Sequence, residues 1–228
     1  MATLVIGNKC YSSWSLRPWL LLRQLGVEFD EVLIQLDTPQ MKSEIAKYSD
    51  AGKVPVLIDG TTTVWESIAI MEYAADAWGL AVWPDDLAAR AHARAIVCEM
   101  HAGFMALRSA CPMNLGKRFA RRDRGADVAK DIARIEEIFR RARRGNESGG
   151  PFLFGRFSAA DAMYAPVVAR LDGYDIPVSP ETRAYMNTIL TLPAFEDWRA
   201  AALAEPWIVE ADEVEEEATE ILRKDMRR

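Results

Sequence analysis

The spacing of hydrophobic and polar positions changes part-way along this chain. In the first part, short apolar runs alternate with amphipathic stretches: "TLVIG" at 3–7, a polar break, a helical pattern from about Ser15 to Gly26, then "FDEVLIQ" at 29–35. Short runs rich in β-branched residues predict strands, and apolar positions three and four apart predict a helix with one buried face. A polar segment follows, then a strand in "VPVLID" at 54–59, a turn in "DGTTT" and a helix in "ESIAIMEYAADAWG" at 66–79. From "WPDD" onward the period is helical, with long runs at 87–111, 126–144, 158–171 and about 181–204, punctuated by glycine and proline. The pattern therefore predicts a mixed sheet carrying helices over 1–80 and an all-helical region over 87–228. No internal repeat or low-complexity segment interrupts either.

Composition changes this picture little. The chain has 228 residues, half of them hydrophobic, enough to bury a sizeable core. Its three cysteines, Cys10, Cys98 and Cys111, are widely separated, which suits neither a disulfide framework nor a metal site and points to a reducing compartment. No apolar run approaches the roughly 20 residues a membrane span requires, so a cytoplasmic location is expected. The net charge of −6 argues against a general nucleic-acid surface. That charge is uneven: "KRFARRDRG" and "FRRARRG" are basic, whereas "VEADEVEEEATE" at 209–220 is acidic. Isoleucines 132, 135 and 138 and Phe139 make the region between the basic clusters an amphipathic helix with a basic outer face. The acidic segment is expected to be frayed or helical, exposed, and free to contact that basic face.

Three local features carry chemistry. Ser12, Ser13 and Ser15 stand in the polar break before the first helix, where a hydroxyl either caps the helix or faces whatever binds at its mouth. Pro55 opens an apolar strand without an N–H to donate. It is either a plain strand start or a cis bond that turns the Val54 backbone outward to pair with an extended peptide. Glu66 and Ser67 open a helix whose first N–H groups seat a carboxylate, while Glu66 suits an ammonium; a capping pair is the plainer alternative.

In this order, "SSWSLRPWLLLRQLG", "KVPVLIDG", "ESIAIMEY" and, later, "FSAADAMYAP" resemble the cytosolic glutathione transferases of serine type, near the zeta, tau and theta classes and a bacterial branch. The resemblance extends to about residue 208. It implies a thioredoxin-like first domain with a mixed four-stranded sheet, an all-α second domain, and a detoxifying transferase with glutathione as co-substrate and no metal. It also implies a homodimer built across the last helix of the first domain and the first long helix of the second.

In the serine classes the catalytic hydroxyl lies five positions before an arginine of the first helix, which gives Ser12 ahead of Arg17, with Ser13 as the fallback. Its task is to stabilise the glutathione thiolate, the form that is nucleophilic at neutral pH. Arg17 becomes a structural hydrogen-bond or salt-bridge donor, and Cys10 stands two residues too early to be the nucleophile of the cysteine-type relatives. By the same resemblance Val54, with Pro55, pairs with the cysteinyl part of glutathione; Glu66 and Ser67 hold the γ-glutamyl end; Lys53 and Gln40, with Lys42 nearby, meet the glycine carboxylate. "FSAADAMYAP" implies a buried capping box between Ser158 and Asp161. The second substrate is expected near Trp14, His101 and Arg108; Arg94, His101 and Arg108 recur at seven-residue intervals on one helix face. The plainer reading, preferred on burial statistics, packs His101 in the core and pairs Arg108 with a carboxylate. Trp14 stands where the zeta pattern has cysteine, which counts against a maleylacetoacetate or maleylpyruvate isomerase. A thiol-disulfide reductase or peroxidase, and a non-catalytic binding module, complete the alternatives.

Overall fold

The computed structural model describes residues 1–144 and 149–223. Strand β1 (Thr3–Gly7) leads into helix α1 (Ser13–Gln24), which returns the chain to strand β2 (Asp30–Ile34), parallel to β1 and in register from Thr3 opposite Asp30 to Gly7 opposite Ile34. The polar segment that follows holds a short helix, α2 (Met41–Ala46), before β3 (Val56–Asp59) and β4 (Thr62–Trp65). Asp59 pairs with Thr62, so the hairpin turns on Gly60 and Thr61, and Gly60 takes the φ of +57° that glycine adopts without strain. The sheet order is β2-β1-β3-β4, with β3 antiparallel to both neighbours. With helix α3 (Ser67–Trp78) this is the thioredoxin-like arrangement that the resemblance implies.

Alternation along the strands sorts their side chains. Leu4, Ile6 and Leu57 enter the large core with α1 and α3, while Val5, Ile34 and Val56 meet Ile45 of α2 on the other face. The helical half comprises α4 (Leu87–Ala102), α5 (Met105–Ala110), α6 (Ala126–Arg144), α7 (Ala159–Gly173), α8 (Pro180–Leu190) and α9 (Pro193–Ala204). Helix α7 is buried from Ala159 to Leu171 and packs against α1 and α4, so one continuous core joins the two halves. Its N-terminus carries the expected capping box. The Asp161 carboxylate accepts from the Ser158 N–H and hydroxyl, both at 3.0 Å. It also accepts from Leu153 N–H at 3.0 Å and Tyr185 hydroxyl at 3.1 Å.

Several elements differ from the pattern's forecast. The run 87–111 is two helices, because Gly103 closes α4 in extended conformation and Phe104 takes φ +59° before α5 starts. The run 181–204 is likewise two, since Pro193 cannot extend α8 and instead opens α9. The acidic segment is not frayed, and its only helical part among the described residues is one short turn. After a 3-10 turn at Glu210–Asp212 it becomes strand β6 (Ala218–Ile221), antiparallel to β5 (Lys117–Phe119) in the first basic cluster. Opposite charge sets this pairing: Glu213 meets Lys117 at 2.6 Å, Glu216 meets Arg122 and Arg124 at 2.8 Å, and Glu220 faces Arg118 at 3.7 Å.

Candidate functional site

The sheet's end, the mouth of α1, the start of α3 and the α4–α5 bend enclose one cleft with two adjoining halves, of about 530 and 520 Å³. Trp14, Lys53, Val54, Met105 and Arg108 belong to both. The first half also holds Pro55, Glu66, Ser67 and His101; the second holds Ser12, Ser13, Ser109, Arg170 and Asp212.

The loop that carries the serines is fixed from outside. Glu205, just past α9, accepts from the Lys9 and Cys10 N–H groups at 2.7 and 3.3 Å, and Trp198 Nε1 donates to Lys9 O at 2.9 Å. Asn8 O accepts from Tyr11 and Ser12 N–H, which turns the chain into α1. Ser12 occupies the N-cap position, yet its hydroxyl accepts no backbone N–H. It lies 2.7 Å from the Ser15 hydroxyl, which itself accepts from Gly7 N–H at 3.1 Å. With the Ser15 hydroxyl donating to Ser12 Oγ, the Ser12 O–H is left to point into the cleft. Ser13 Oγ accepts from the Arg170 guanidinium at 3.4 Å, so its proton is also free.

Val54 and Pro55 are joined by a cis peptide bond. Val54 precedes the first laddered residue, Val56, and its N–H and C=O have no hydrogen-bond partner among the described residues. Glu66 adopts φ +68° with ψ 128°, a conformation that costs a non-glycine residue about 1–3 kcal/mol and persists only where the surroundings demand it. It delivers the chain into α3 with Ser67 first in the helix; the Glu66 carboxylate lies 3.8 Å from His101 Nε2. Ser67 is buried, its hydroxyl 4.0 Å from Met163 sulfur.

Gln40 is not brought into the cleft: it caps α2 beside the outer edge of β2, in a shallow groove with Glu44 and Tyr48. Lys42, also on α2, is absent from the cleft lining. Arg94 leaves the helix face shared with His101 to pair with Glu72 at 2.9 Å. His101 and Arg108 remain together in spite of the helix break. His101 packs edge-on to Trp14 with ring centroids 5.1 Å apart, and the Arg108 guanidinium lies 4.7 Å from the Trp14 ring. Neither follows the plainer reading, since both line the cleft and Arg108 has no carboxylate partner among the described residues.

Arg17 is a donor without a salt bridge among the described residues. Fully buried, it gives Nε to Met163 O at 3.2 Å and Nη1 to Ser13 O at 3.0 Å, while Nη2 has no partner. Cys10 is buried against Asn114 Oδ1 at 3.6 Å, and desolvation pushes its thiol up to about 11, so it is no nucleophile at neutral pH. Sequence reasoning missed Arg170 and Asp212. A lone cation in the otherwise apolar stretch "AMYAPVVARL" was the available signal for the first; the second arrives with a tail whose path the periodicity does not carry.

Residues 11–77 match the family described as "Glutathione S-transferase, N-terminal domain", and residues 119–204 match "Glutathione S-transferase, C-terminal domain". A "Probable maleylacetoacetate isomerase" of Caenorhabditis elegans is 25% identical over 195 residues, which span 80% of this chain and 86% of that one. "Glutathione S-transferase T1" of Arabidopsis thaliana is 36% identical over 84 residues, a stretch covering 33% of each chain. Among solved structures, a glutathione transferase homolog from Burkholderia GL BGR1 with bound glutathione superimposes with a TM-score of 0.67 at 22% identity, over 88% of this chain and 97% of that one. At that identity the likeness concerns the fold.

Proposed function

The chain belongs to the glutathione S-transferase family, and on that premise we propose a glutathione transferase that holds glutathione across the first half of the cleft and turns its thiolate on an electrophilic small molecule. One observation carries the reading: an uncapped serine hydroxyl, an unpaired stretch of backbone and a strained helix entrance converge on one cavity. Each matches one part of the tripeptide. The Val54 backbone pairs with the cysteinyl peptide group, the first turn of α3 with Ser67 receives the γ-glutamyl carboxylate, and Glu66 receives its ammonium. Lys53 meets the glycine carboxylate. Ser12 donates to the sulfur, with the Ser13 hydroxyl and the positive end of α1 adding to the potential that favours thiolate.

We divide the chain at the segment between α3 and α4, and propose a cytoplasmic homodimer joined through those two helices. Among the described residues no helix is long and apolar enough to cross a membrane. Sedimentation at a mass of twice 25.6 kDa is the expected result for the dimer.

A glutathione-dependent isomerase uses the same thiolate and is favoured by the Caenorhabditis elegans relative; consumption of glutathione separates it from a transferase. A disulfide reductase is disfavoured, since the described cleft lining contains no cysteine.

Calorimetric titration with glutathione, and ultraviolet thiolate absorbance of the complex against pH, test the proposal. Wild-type protein should bind and lower the thiol pKa. Ser12→Ala should retain binding and lose about tenfold or more in conjugation rate, the scale of one lost donor to a developing anion. Full activity in Ser12→Ala with loss in Ser13→Ala would transfer the role to Ser13. No binding by the wild type would sink the enzyme reading.

A further inference from the structure

In a chain that carries a net charge of −6, the half of the cleft beyond the serines is positive. Two guanidinium groups, Arg108 and Arg170, line it, and a third, Arg17, is buried behind Trp14. Arg17 lies 4.1 Å and Arg108 4.7 Å from the Trp14 ring, and Arg170 reaches Ser13 Oγ at 3.4 Å. Elsewhere a buried arginine is neutralised: Arg124 has Glu216 at 2.8 Å. Here the acceptors are neutral. Arg170 gives its other donors to Cys111 O and Pro166 O at 2.9 and 3.2 Å, and Arg17 is held by the carbonyls of Met163 and Ser13. None of the three has a carboxylate within ion-pair distance among the described residues. A buried charge without a close carboxylate is costly, and the more distant Asp212 offsets that cost only for Arg170, so the fold retains the cluster at the expense of stability.

The three are not equivalent. Arg17 and Arg170 are buried and committed to the frame, whereas Arg108 is partly exposed and none of its guanidinium donors has a hydrogen-bond partner among the described residues. It stands at the junction of the two halves of the cleft, with Ser109 and Pro112 on the side away from Glu66 and Ser67. The single carboxylate in that lining, Asp212, forms no close ion pair or side-chain hydrogen bond among the described residues, but its charge and that of Arg170 favour each other through space. Against that one carboxylate the lining sets three cations, Lys53, Arg108 and Arg170, with Arg17 buried behind Trp14, which leaves the pocket short of negative charge. Burial and mutual repulsion depress Arg17 and Arg170, the latter to about 10, which still leaves Arg170 cationic at neutral pH.

Building on the transferase reading, we propose that the second substrate is an electrophile bearing a carboxylate, with Arg108 as its direct ion-pair partner and Arg170 and Arg17 supplying the field behind it. In the proposed pose the glutathione carboxylates have partners other than Arg108: Lys53, where the two halves meet, and the first turn of α3. A cavity of about 520 Å³ admits a small aromatic or aliphatic acid beside the thiol.

The test compares 4-chloro-3-nitrobenzoate with 4-chloro-3-nitrobenzamide as probes. In each the glutathione thiolate forms a C–S bond at the chlorinated carbon and chloride leaves with its electron pair. Each kcat/KM is divided by the uncatalysed rate to remove the difference in intrinsic reactivity. Wild-type enzyme should favour the acid by about tenfold or more, the range expected for a charge-assisted contact. Arg108→Gln should lower that ratio about tenfold through KM for the acid, and Arg108→Lys should keep most of it. Glutathione affinity is measured by calorimetry on the same samples. A wild-type ratio near one, or a ratio unchanged in Arg108→Gln, overturns the proposal. So does a parallel loss of glutathione affinity with both probes affected equally, which would make the recognised anion that of glutathione itself. Failure of the wild type to bind glutathione removes the transferase reading and this proposal together, a result distinct from binding with equal turnover of both probes.

Discussion

A serine at the entrance of a helix is ordinarily consumed by capping, and the sequence leaves that alternative open for Ser12, Ser13 and Ser15 alike. Geometry separates them: Ser15 is held by Gly7 N–H, Ser13 by Arg170, and Ser12 is bonded only to another hydroxyl, which leaves one proton of the pair unassigned. The same contrast between residue type and surroundings governs the cysteines. Cys10 and Cys111 are buried, and desolvation pushes both thiols up to about 11, whereas Cys98 is exposed. At pH 8 iodoacetamide should therefore spare Cys10 and Cys111 while the protein is folded and label them on unfolding, and peptide mass spectrometry reads the outcome. Rapid labelling of Cys10 under those conditions would reopen a redox reading of the loop. The position of Ser12 is legible from its distance to Arg17, because spacing along one turn and helix is local. Arg170 was not legible as a cleft residue, because its place depends on how α7 lies across α1, a long-range packing fact.

Elements inherit their limits from single residues, and the bend between α4 and α5 shows how. Helical periodicity runs unbroken from Leu87 to Cys111, so the pattern gives one helix; it cannot register that Gly103 packs where a side chain would collide. A Cβ on Gly103 would lie 2.8 Å from Glu99 O, a backbone atom that cannot swing aside. Gly103→Ala should cost about 1–3 kcal/mol in urea unfolding, the usual price of overpacking, and should move Arg108 relative to Trp14. Loss of stability without any change in second-substrate KM would show that the bend does not position the cleft. The capping box of α7, in contrast, is legible from "FSAAD", because its two members are three residues apart. Its depth was not. All the contacts to the Asp161 carboxylate come from donors: Leu153 N–H, Ser158 N–H, the Ser158 hydroxyl and the Tyr185 hydroxyl. Asp161→Asn turns an amide N–H₂ toward some of those donors, and a loss of about 2–4 kcal/mol is expected by thermal or chemical denaturation. A near-neutral effect would mean that the carboxyl is already protonated in the native state.

At the scale of the molecule, the two charge blocks that look like separate surface features in the sequence form one latch, the acidic tail crossing back over the first basic cluster beside the cleft. Strand pairing over more than ninety residues of separation lies outside what local periodicity carries, which is why the tail was expected to be loose. The latch makes stability depend on pH with a sign that can be worked out. Hydrogen bonding to Arg124 lowers the Glu216 carboxyl, and bonding to Arg134 lowers Glu99, so each is ionised more readily folded than unfolded. Their contribution is complete above the unfolded carboxylate range and is lost as pH falls through their depressed folded values. The buried thiols act at the other end: held neutral up to about 11 against an ordinary 9.0, they favour the folded state fully below pH 9 and lose that advantage as pH rises through 11. Buried Asp161, whose carboxyl desolvation pushes up to about 6, acts the opposite way to Glu216 and Glu99 and favours the folded state as pH falls. Urea unfolding should therefore show a fall above about pH 9 and, on the acid side, a loss from Glu216 and Glu99 that Asp161 partly offsets. Glu216→Gln separates the two limbs. At pH 7 it leaves Arg124, only 3% exposed, facing an uncharged amide, so a loss of about 3 kcal/mol is expected there; the acid fall should shrink and the alkaline fall persist. An acid limb unchanged in that variant would place the proton-sensitive contacts elsewhere. The tail would then be a passive cover over the cleft wall that contributes Asp212, with no electrostatic hold on the fold.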